Sequence, residues 1–216
     1  MAGSVVAGML GLLTILVVVP EGAPPTALDT WVFDVTNEWT QQAPWAVDIA
    51  AAIGVATDVV ASTAFAVIVT LALAARRMWR FALFMVGCGL VGVAMVELVK
   101  TTVGRLRPPG AQEFIESGLD RSFPSGHASV GVYVYVALAV LVVVVAARSG
   151  RTVGVWLGGA LFVFGIVIGL SRIVLGVHWS TDVIAGWTLS SLVVLVATIV
   201  IAPQRASAQM EPSDSP

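Results

Sequence analysis

Charged side chains are scarce in this 216-residue chain, at 11% of positions, where a soluble domain carries about a quarter. Hydrophobic residues fill 58% and the mean hydropathy is +0.96. That balance excludes an ordinary soluble domain and makes the chain a membrane protein. Cysteine is reduced to Cys88 alone, which excludes an intrachain disulfide. Between Gly87 and Gly89 it reads as a small packing residue in a helix seam. There is no basic run and no zinc-ligand spacing, so nothing points to nucleic acid as a partner. No internal repeat and no linker divides the sequence. Met1–Ser4 has no basic side chain and no clean small-x-small cleavage site follows, so the first apolar stretch is expected to be a retained anchor rather than a signal peptide.

What fills the chain instead is apolar sequence. Six stretches are long enough, or nearly so, to cross a hydrocarbon core of roughly 30 Å: Val5–Val19, Ile49–Ala74, Phe81–Val99, His127–Ala147, Val153–Leu170 and Val183–Ala202. The expected fold is all-α, a six-transmembrane-helix bundle. Residues 1–202 form one membrane-embedded domain, and 203–216 a disordered cytoplasmic tail rich in Ser, Pro and Ala. Ala27–Trp45 is too polar to span. Its Trp31, Phe33, Trp39 and Trp45, with acidic residues between them, fit an interfacial helix, a plain loop being the alternative. Gly165 and Gly169 make a small-xxx-small packing face.

Orientation follows from the connections. Arg76, Arg77 and Arg80 lie between the second and third stretches, Arg148 and Arg151 between the fourth and fifth, and Arg205 follows the sixth. Glu21–Pro44 has acidic residues and no lysine or arginine. The positive-inside rule therefore predicts both termini and the arginine connections in the cytoplasm. Lys100, Arg105, Arg107, Arg121 and Arg172 then fall on the extracytoplasmic face, against the rule, and anion binding is the simplest reason for them to be there.

Those residues belong to three polar motifs. The first is Lys100-Thr101-Thr102-Val103-Gly104-Arg105-Leu106-Arg107-Pro108. The second, Arg121-Ser122-Phe123-Pro124-Ser125-Gly126-His127, ends where an apolar stretch begins. Ser125 is well placed as an N-cap, and the helix N-terminus behind it offers backbone N–H groups and a positive dipole to an anion. Gly126 allows close approach of a phosphate, and His127 in the first turn can donate a proton. Alone, this motif fits equally an ordinary capped helix with a surface histidine. The third motif runs from Ser171 and Arg172 to His178 and Asp182 and holds the other of the two histidines. Four residues separate His178 from Asp182, so a helical turn is expected to bring them together. A carboxylate on one imidazole nitrogen leaves the other as a lone-pair nucleophile. Lys100, Arg107 and Arg172 would offset a phosphate monoester of about −2 charge.

Together the three motifs resemble those of the type 2 phosphatidic acid phosphatase, or lipid phosphate phosphatase, superfamily. That pattern is Lys-x6-Arg-Pro, then Pro-Ser-Gly-His, then Ser-Arg-x5-His-x3-Asp. Here it is met by Lys100, Arg107 and Pro108, by Pro124 to His127, and by Ser171, Arg172, His178 and Asp182. The resemblance covers roughly 81–201. It implies an integral-membrane enzyme with its active site at the extracytoplasmic face, acting on a lipid phosphate or pyrophosphate substrate. His178 would attack phosphorus and form a phosphohistidine, with Asp182 holding its imidazole. His127 would protonate the leaving oxygen and then help to activate water. Lys100, Arg107, Ser125, Gly126 and Arg172 would bind the phosphate. The resemblance implies no metal and no other cofactor, and the motifs carry no carboxylate cluster of the kind a hard cation needs.

Some residues stay outside this pattern. Glu97 either orients Lys100 or is a satisfied interfacial acid. Asp58 falls within an apolar stretch, where a carboxylate is expensive, unless that stretch runs long toward the outer face. Arg105 and Arg121 either attract anionic headgroups or are solvated loop charges. Two other activities share the resemblance. A phosphotransferase would pass the phosphoryl group to an acceptor other than water, and vanadium-dependent haloperoxidases, which are larger and soluble, hold vanadate in a similar site. A non-catalytic membrane protein is the alternative from a different class. The lipid itself, whether phosphatidic acid, phosphatidylglycerol phosphate or polyprenyl pyrophosphate, is not written in the motifs.

Overall fold

The structure, a computed structural model, describes residues 22–111 and 121–201. The expected first span, Val5–Val19, and the expected tail, 203–216, lie outside these residues. Seven helices make up the described part: α1 (Ala27–Gln42), α2 (Pro44–Ala56), α3 (Val59–Ala75), α4 (Trp79–Val103), α5 (Gly126–Ser149), α6 (Thr152–Val174) and α7 (Ser180–Ile201). Apart from an isolated bridge between Leu106 and Arg121, no β structure occurs among the described residues. The protein is all-α.

Helix α1 is the helix expected over Ala27–Trp45, but it stops at Gln42. It starts with a capping box in which the Thr26 hydroxyl accepts from the Asp29 N–H and the Asp29 carboxylate accepts from the Thr26 N–H. Pro44 ends it and opens α2, since proline fits the first turn of a new helix where no N–H is needed. Trp45 therefore belongs to α2.

The expected span Ile49–Ala74 is two helices rather than one, α2 and α3 bent by 50° at Thr57 and Asp58. The Thr57 hydroxyl donates back to the Ile53 carbonyl at 2.6 Å, and the Asp58 carboxylate accepts from the Val60 N–H at 2.8 Å. Both side chains offer the backbone partners that compete with a continuous helix. Asp58 is thus the exposed N-cap of α3, not a carboxylate buried mid-helix. Among the described residues α4, α5, α6 and α7 are each long and apolar enough to cross a membrane, and the α2–α3 pair counts as a fifth if taken as one broken span. The chain is a multi-pass membrane protein.

Helix α5 sits centrally, with a π-helical turn at Gly131–Val136. Val130, Val132, Tyr133, Val134 and Leu141 pack against Phe84, Met85 and Cys88 of α4, Ile168 of α6 and Val194 of α7. Cys88 is fully buried there, as a packing residue should be. In lipid, helices associate by close packing and hydrogen bonds more than by apolar burial, so small residues mark the seams. A Cβ on Gly131 would collide with the Gly165 carbonyl, and one on Gly165 with the Gly131 carbonyl. Gly169 makes room for the Trp187 indole. The Gly165/Gly169 face is a packing face, as its spacing suggested.

Candidate active site

Four chain segments meet at one end of the bundle. The last turn of α4 brings Lys100, and the left-handed Gly104 (φ 56°) turns the chain into the loop carrying Arg105 and Arg107. The N-terminus of α5 brings Ser125, Gly126 and His127. The end of α6 brings Arg172, and left-handed Gly176 (φ 64°) leads into His178. The first turn of α7 brings Asp182. Packing fixes the loops. Phe123 is buried against Val96, Val99 and Val103 of α4 and Ala185 and Leu189 of α7. Leu175 and Val177 pack against Ala50 and Ala111. The Ser122 N–H donates to the Arg105 carbonyl at 2.7 Å, and the Ser125 N–H to the Asp182 carbonyl at 3.0 Å.

Ser125 caps α5, its hydroxyl accepting from the Ala128 N–H at 3.4 Å. A Cβ placed on Gly126 would lie 3.6 Å from Lys100 Nζ, so the ammonium stands at the helix N-terminus. Both features attract an anion.

His178 is buried. Its Nε2 lies 3.0 Å from Arg107 Nη1, while its Nδ1 lies 3.3 Å from the Ser122 hydroxyl and 3.5 Å from Asp182 Oδ2. The expected pairing of His178 with Asp182 exists, but not within one helical turn, because α7 begins only at Ser180. The Asp182 carboxylate reaches back beyond the helix start, accepting from the Trp179 N–H at 2.9 Å, and Ser122 bridges it to the imidazole by donating to Oδ2. Burial pushes the His178 imidazolium pKa down to about 4; Arg107 and Lys100 act in the same direction, and Asp182 opposes them. The ring is therefore neutral at pH 7.

Arg172 is buried against α2. Its Nε and Nη2 donate to the Ser171 hydroxyl at 3.1 Å, and Nη2 also donates to the Ala50 carbonyl at 2.9 Å. A Cβ on Gly54 would overlap its guanidinium, and His127 Nε2 lies 3.4 Å from the Gly54 carbonyl. The short helix α2 thus backs both the third cation and the second histidine. Glu97 is exposed and makes no ion pair with Lys100 within 4.0 Å among the described residues, so it does not clamp the ammonium. No group of three His, Cys, Asp or Glu that could hold a metal occurs among them either.

Arg105 is neither a solvated loop charge nor exposed to headgroups, for it is only 1% accessible. Its Nη1 donates to Asp182 Oδ1 at 2.7 Å and to the Thr181 hydroxyl at 2.7 Å; its Nη2 donates to Asp29 Oδ2 at 2.6 Å. Asp29, on α1, also accepts from the Ser180 hydroxyl and the Thr181 N–H, both at 2.8 Å. Burial raises the pKa of that carboxyl, but the bonds from Arg105, Thr181, Thr26 and Ser180 outweigh it and hold the group well below the usual carboxylate range. Taking one partner out of such a buried set costs about 3–5 kcal/mol. Arg121, by contrast, is exposed. Sequence reasoning missed Asp29, Ser122, Gly54 and the placement of Arg105. The one legible trace was Thr26-x-x-Asp29, a capping-box pattern at a helix start.

Comparison with known proteins bears on this constellation. The family model described as the PAP2 superfamily matches residues 82–206, more than half of the chain. No curated protein matches. One similar solved structure is described as that of the first transmembrane PAP2 type phosphatidylglycerolphosphate phosphatase from Bacillus subtilis. It is 22% identical, with a TM-score of 0.72, over 91% of this chain and 94% of that one. At that identity the likeness speaks for the fold.

Proposed function

The chain belongs to the PAP2 superfamily, and from that premise we propose that it is a membrane phosphatase. It removes a terminal phosphate from a lipid phosphate or pyrophosphate through a phosphohistidine at His178. The observation that carries this reading is the two-sided environment of the His178 ring. A carboxylate and a hydroxyl stand at Nδ1, and the Arg107 guanidinium stands at Nε2. A guanidinium only donates, so Nε2 is the acceptor and holds the lone pair.

In the first step the Nε2 lone pair attacks phosphorus, the bond to the leaving oxygen breaks, and His127, entering as the imidazolium that a bound phosphate anion favours, gives that oxygen a proton. Arg107 leaves Nε2 and follows the phosphoryl oxygens, where Lys100, Arg172 and the Ser125–Gly126 helix start also bind. Asp182 and Ser122 keep the proton on Nδ1. In the second step His127 takes a proton from water, the water oxygen attacks phosphorus, and the N–P bond breaks, returning neutral His178. These side chains supply every proton and charge the two steps need, so the reading includes no metal.

The site is proposed to face the extracytoplasmic side. Arg148 stacks on Phe81 at 5.7 Å, and Arg80 donates to the Ile201 carbonyl at 2.6 Å. The two arginine connections and the end of α7 therefore share one end of the bundle, opposite the motifs, which the positive-inside rule favours as cytoplasmic. The six-span count adds Val5–Val19 to the described helices. Phosphatidylglycerol phosphate, phosphatidic acid and polyprenyl pyrophosphate each offer a terminal phosphate on an apolar tail, and the printed activity of the Bacillus subtilis relative favours testing the first of these foremost.

The test is phosphate release by purified protein in detergent against those three lipids, with and without EDTA, and trapping of labelled enzyme. The expected result is turnover that survives EDTA, inhibition by vanadate, and a label that is acid-labile, alkali-stable and absent from His178→Ala. Turnover by His178→Ala, or turnover lost in EDTA and recovered with Mg²⁺, would overturn the reading.

A further inference from the structure

We infer that Arg105 is the positioning residue for the His178–Asp182 pair, and that Asp29 of α1 holds it in place. The inference rests on the catalytic reading of His178. Every oxygen of Asp182 is committed. Oδ2 takes the Trp179 N–H and the Ser122 hydroxyl, and Oδ1 takes Arg105. A carboxylate bound on both oxygens cannot rotate about its Cβ–Cγ bond. It meets His178 Nδ1 at 3.5 Å and shares the contact with Ser122. Arg105 also lies 5.8 Å over the ring of Trp179, the residue next to the nucleophile.

Asp29 completes the arrangement. Arg105 stands between two carboxylates, and its charge divides between them. Asp29 is itself fastened to the first turn of α7 through Ser180 and Thr181, the turn from which Asp182 projects. The helix supplying Asp29 shows the opposite character on its other side: Leu28, Trp31, Val35 and Trp39 are exposed, the pattern of a helix seated at a membrane interface. One charged path therefore runs from that helix to the catalytic carboxylate, and α1 is part of the active site's support.

This arrangement makes predictions of opposite sign. In Arg105→Gln the Asp182 charge is no longer shared and turns toward Nδ1, so the imidazole becomes more basic. In Asp29→Asn the full Arg105 charge falls on Asp182, and the imidazole becomes less basic. The other charged or titratable groups near the ring, Arg107, Lys100 and His127, are unchanged in both variants. The pair Asp29→Asn/Arg105→Gln removes one charge of each sign and restores much of the balance.

The experiment follows ¹⁵N-histidine resonances of the full-length protein in detergent between pH 8 and pH 4, with kcat and KM measured in parallel. Folding is checked by size-exclusion profile and melting. His178 in Arg105→Gln is expected to titrate at least about one pH unit above the parent, the usual effect of an unshielded neighbouring carboxylate. In Asp29→Asn it stays neutral to the lowest pH reached. Each single change lowers kcat on the order of 10–100-fold, the cost of losing a group that orients a reacting side chain, with KM little altered, and the double variant recovers part of the loss. Unmoved His178 midpoints in folded variants overturn the inference, as does unchanged kcat. If Arg105→Gln does not fold, Asp29→Asn carries the test, and a raised midpoint or unchanged kcat there overturns it. The titration does not depend on turnover, so a parent protein without phosphatase activity would sink the catalytic reading while the shifts still judged the relay.

Discussion

Arg107 Nη1 lies 3.0 Å from His178 Nε2, so a permanent donor faces one nitrogen of the ring while a carboxylate and a hydroxyl face the other. One tautomer satisfies both sides: Nδ1–H with a lone pair on Nε2. In the proposed mechanism this geometry already places the attacking nitrogen beside one of the cations that would hold the phosphate.

Two histidines make this easy to check, since His127→Gln leaves only the resonances of His178. Its nitrogens are expected to show the neutral Nδ1–H tautomer from pH 8 down to about pH 5, with a midpoint near 4. The folded value lies below the ordinary 6.5. The neutral ring's contribution to stability is therefore complete above pH 6.5 and is lost as pH falls toward 4. A midpoint near 6.5 would mean that His178 is not desolvated among cations.

The proposed division of labour between the histidines predicts different responses to the leaving group. His178→Ala should be inactive on every substrate. His127→Ala should lose roughly 10²–10⁴-fold on a lipid phosphate and much less on p-nitrophenyl phosphate, whose phenolate leaves without a proton. Equal losses for both variants on both substrates would show that His127 is not the acid.

Helix α2 bears on the proposed phosphate cradle through Gly54, which packs on the Arg172 guanidinium. An alanine there would push into the Arg172 guanidinium, the far end of a flexible side chain, so the fold survives while the cation moves. A charge-assisted hydrogen bond is worth about 1.5–3 kcal/mol, so Gly54→Ala is expected to weaken vanadate inhibition about tenfold or more. The melting temperature should stay within a few degrees. Gly159→Ala, where an added methyl meets nothing within 4 Å, serves as the control and should leave both unchanged. Equal vanadate inhibition in the two variants would take Arg172 out of the cradle.

The motifs were legible in the sequence because their residues lie close together along the chain or at fixed offsets, although the helical turn expected to join His178 to Asp182 is replaced by a carboxylate reaching back from the start of α7. Arg105 was not legible. It sits inside the first motif, yet its partner Asp29 is 76 residues away and Asp182 is 77 away. Nothing local distinguishes a cation that pairs across the fold from one that faces solvent. Ser122 escaped for the same reason, being 60 residues from the carboxylate it serves. The break at Thr57 and Asp58 did carry a local signal, a Thr-Asp pair in front of an apolar run. The apolar composition on both sides masked it. Buried polar groups are placed by their partners, and the partners come from tertiary structure.

Sidedness is the last consequence, and it rests on topology. Helix α4 runs from the arginine connection at Arg76–Arg80 to Lys100, and α5 runs from Ser125 back to Arg148 and Arg151. Each crosses the bundle once, so the motifs and the arginines lie on opposite faces whatever the orientation of the whole. Arginine retention then chooses the orientation. Cys88 is fully buried and can be replaced by alanine. In that background a cysteine at the exposed Pro109 position should react with a membrane-impermeant maleimide added to intact cells or spheroplasts. One at the exposed Ser149 position should stay unlabelled until the membrane is opened. The reverse pattern would put the phosphate chemistry on the cytoplasmic face and remove any outer-leaflet lipid from the list of substrates. Labelling of both positions from outside would contradict the single crossings of α4 and α5.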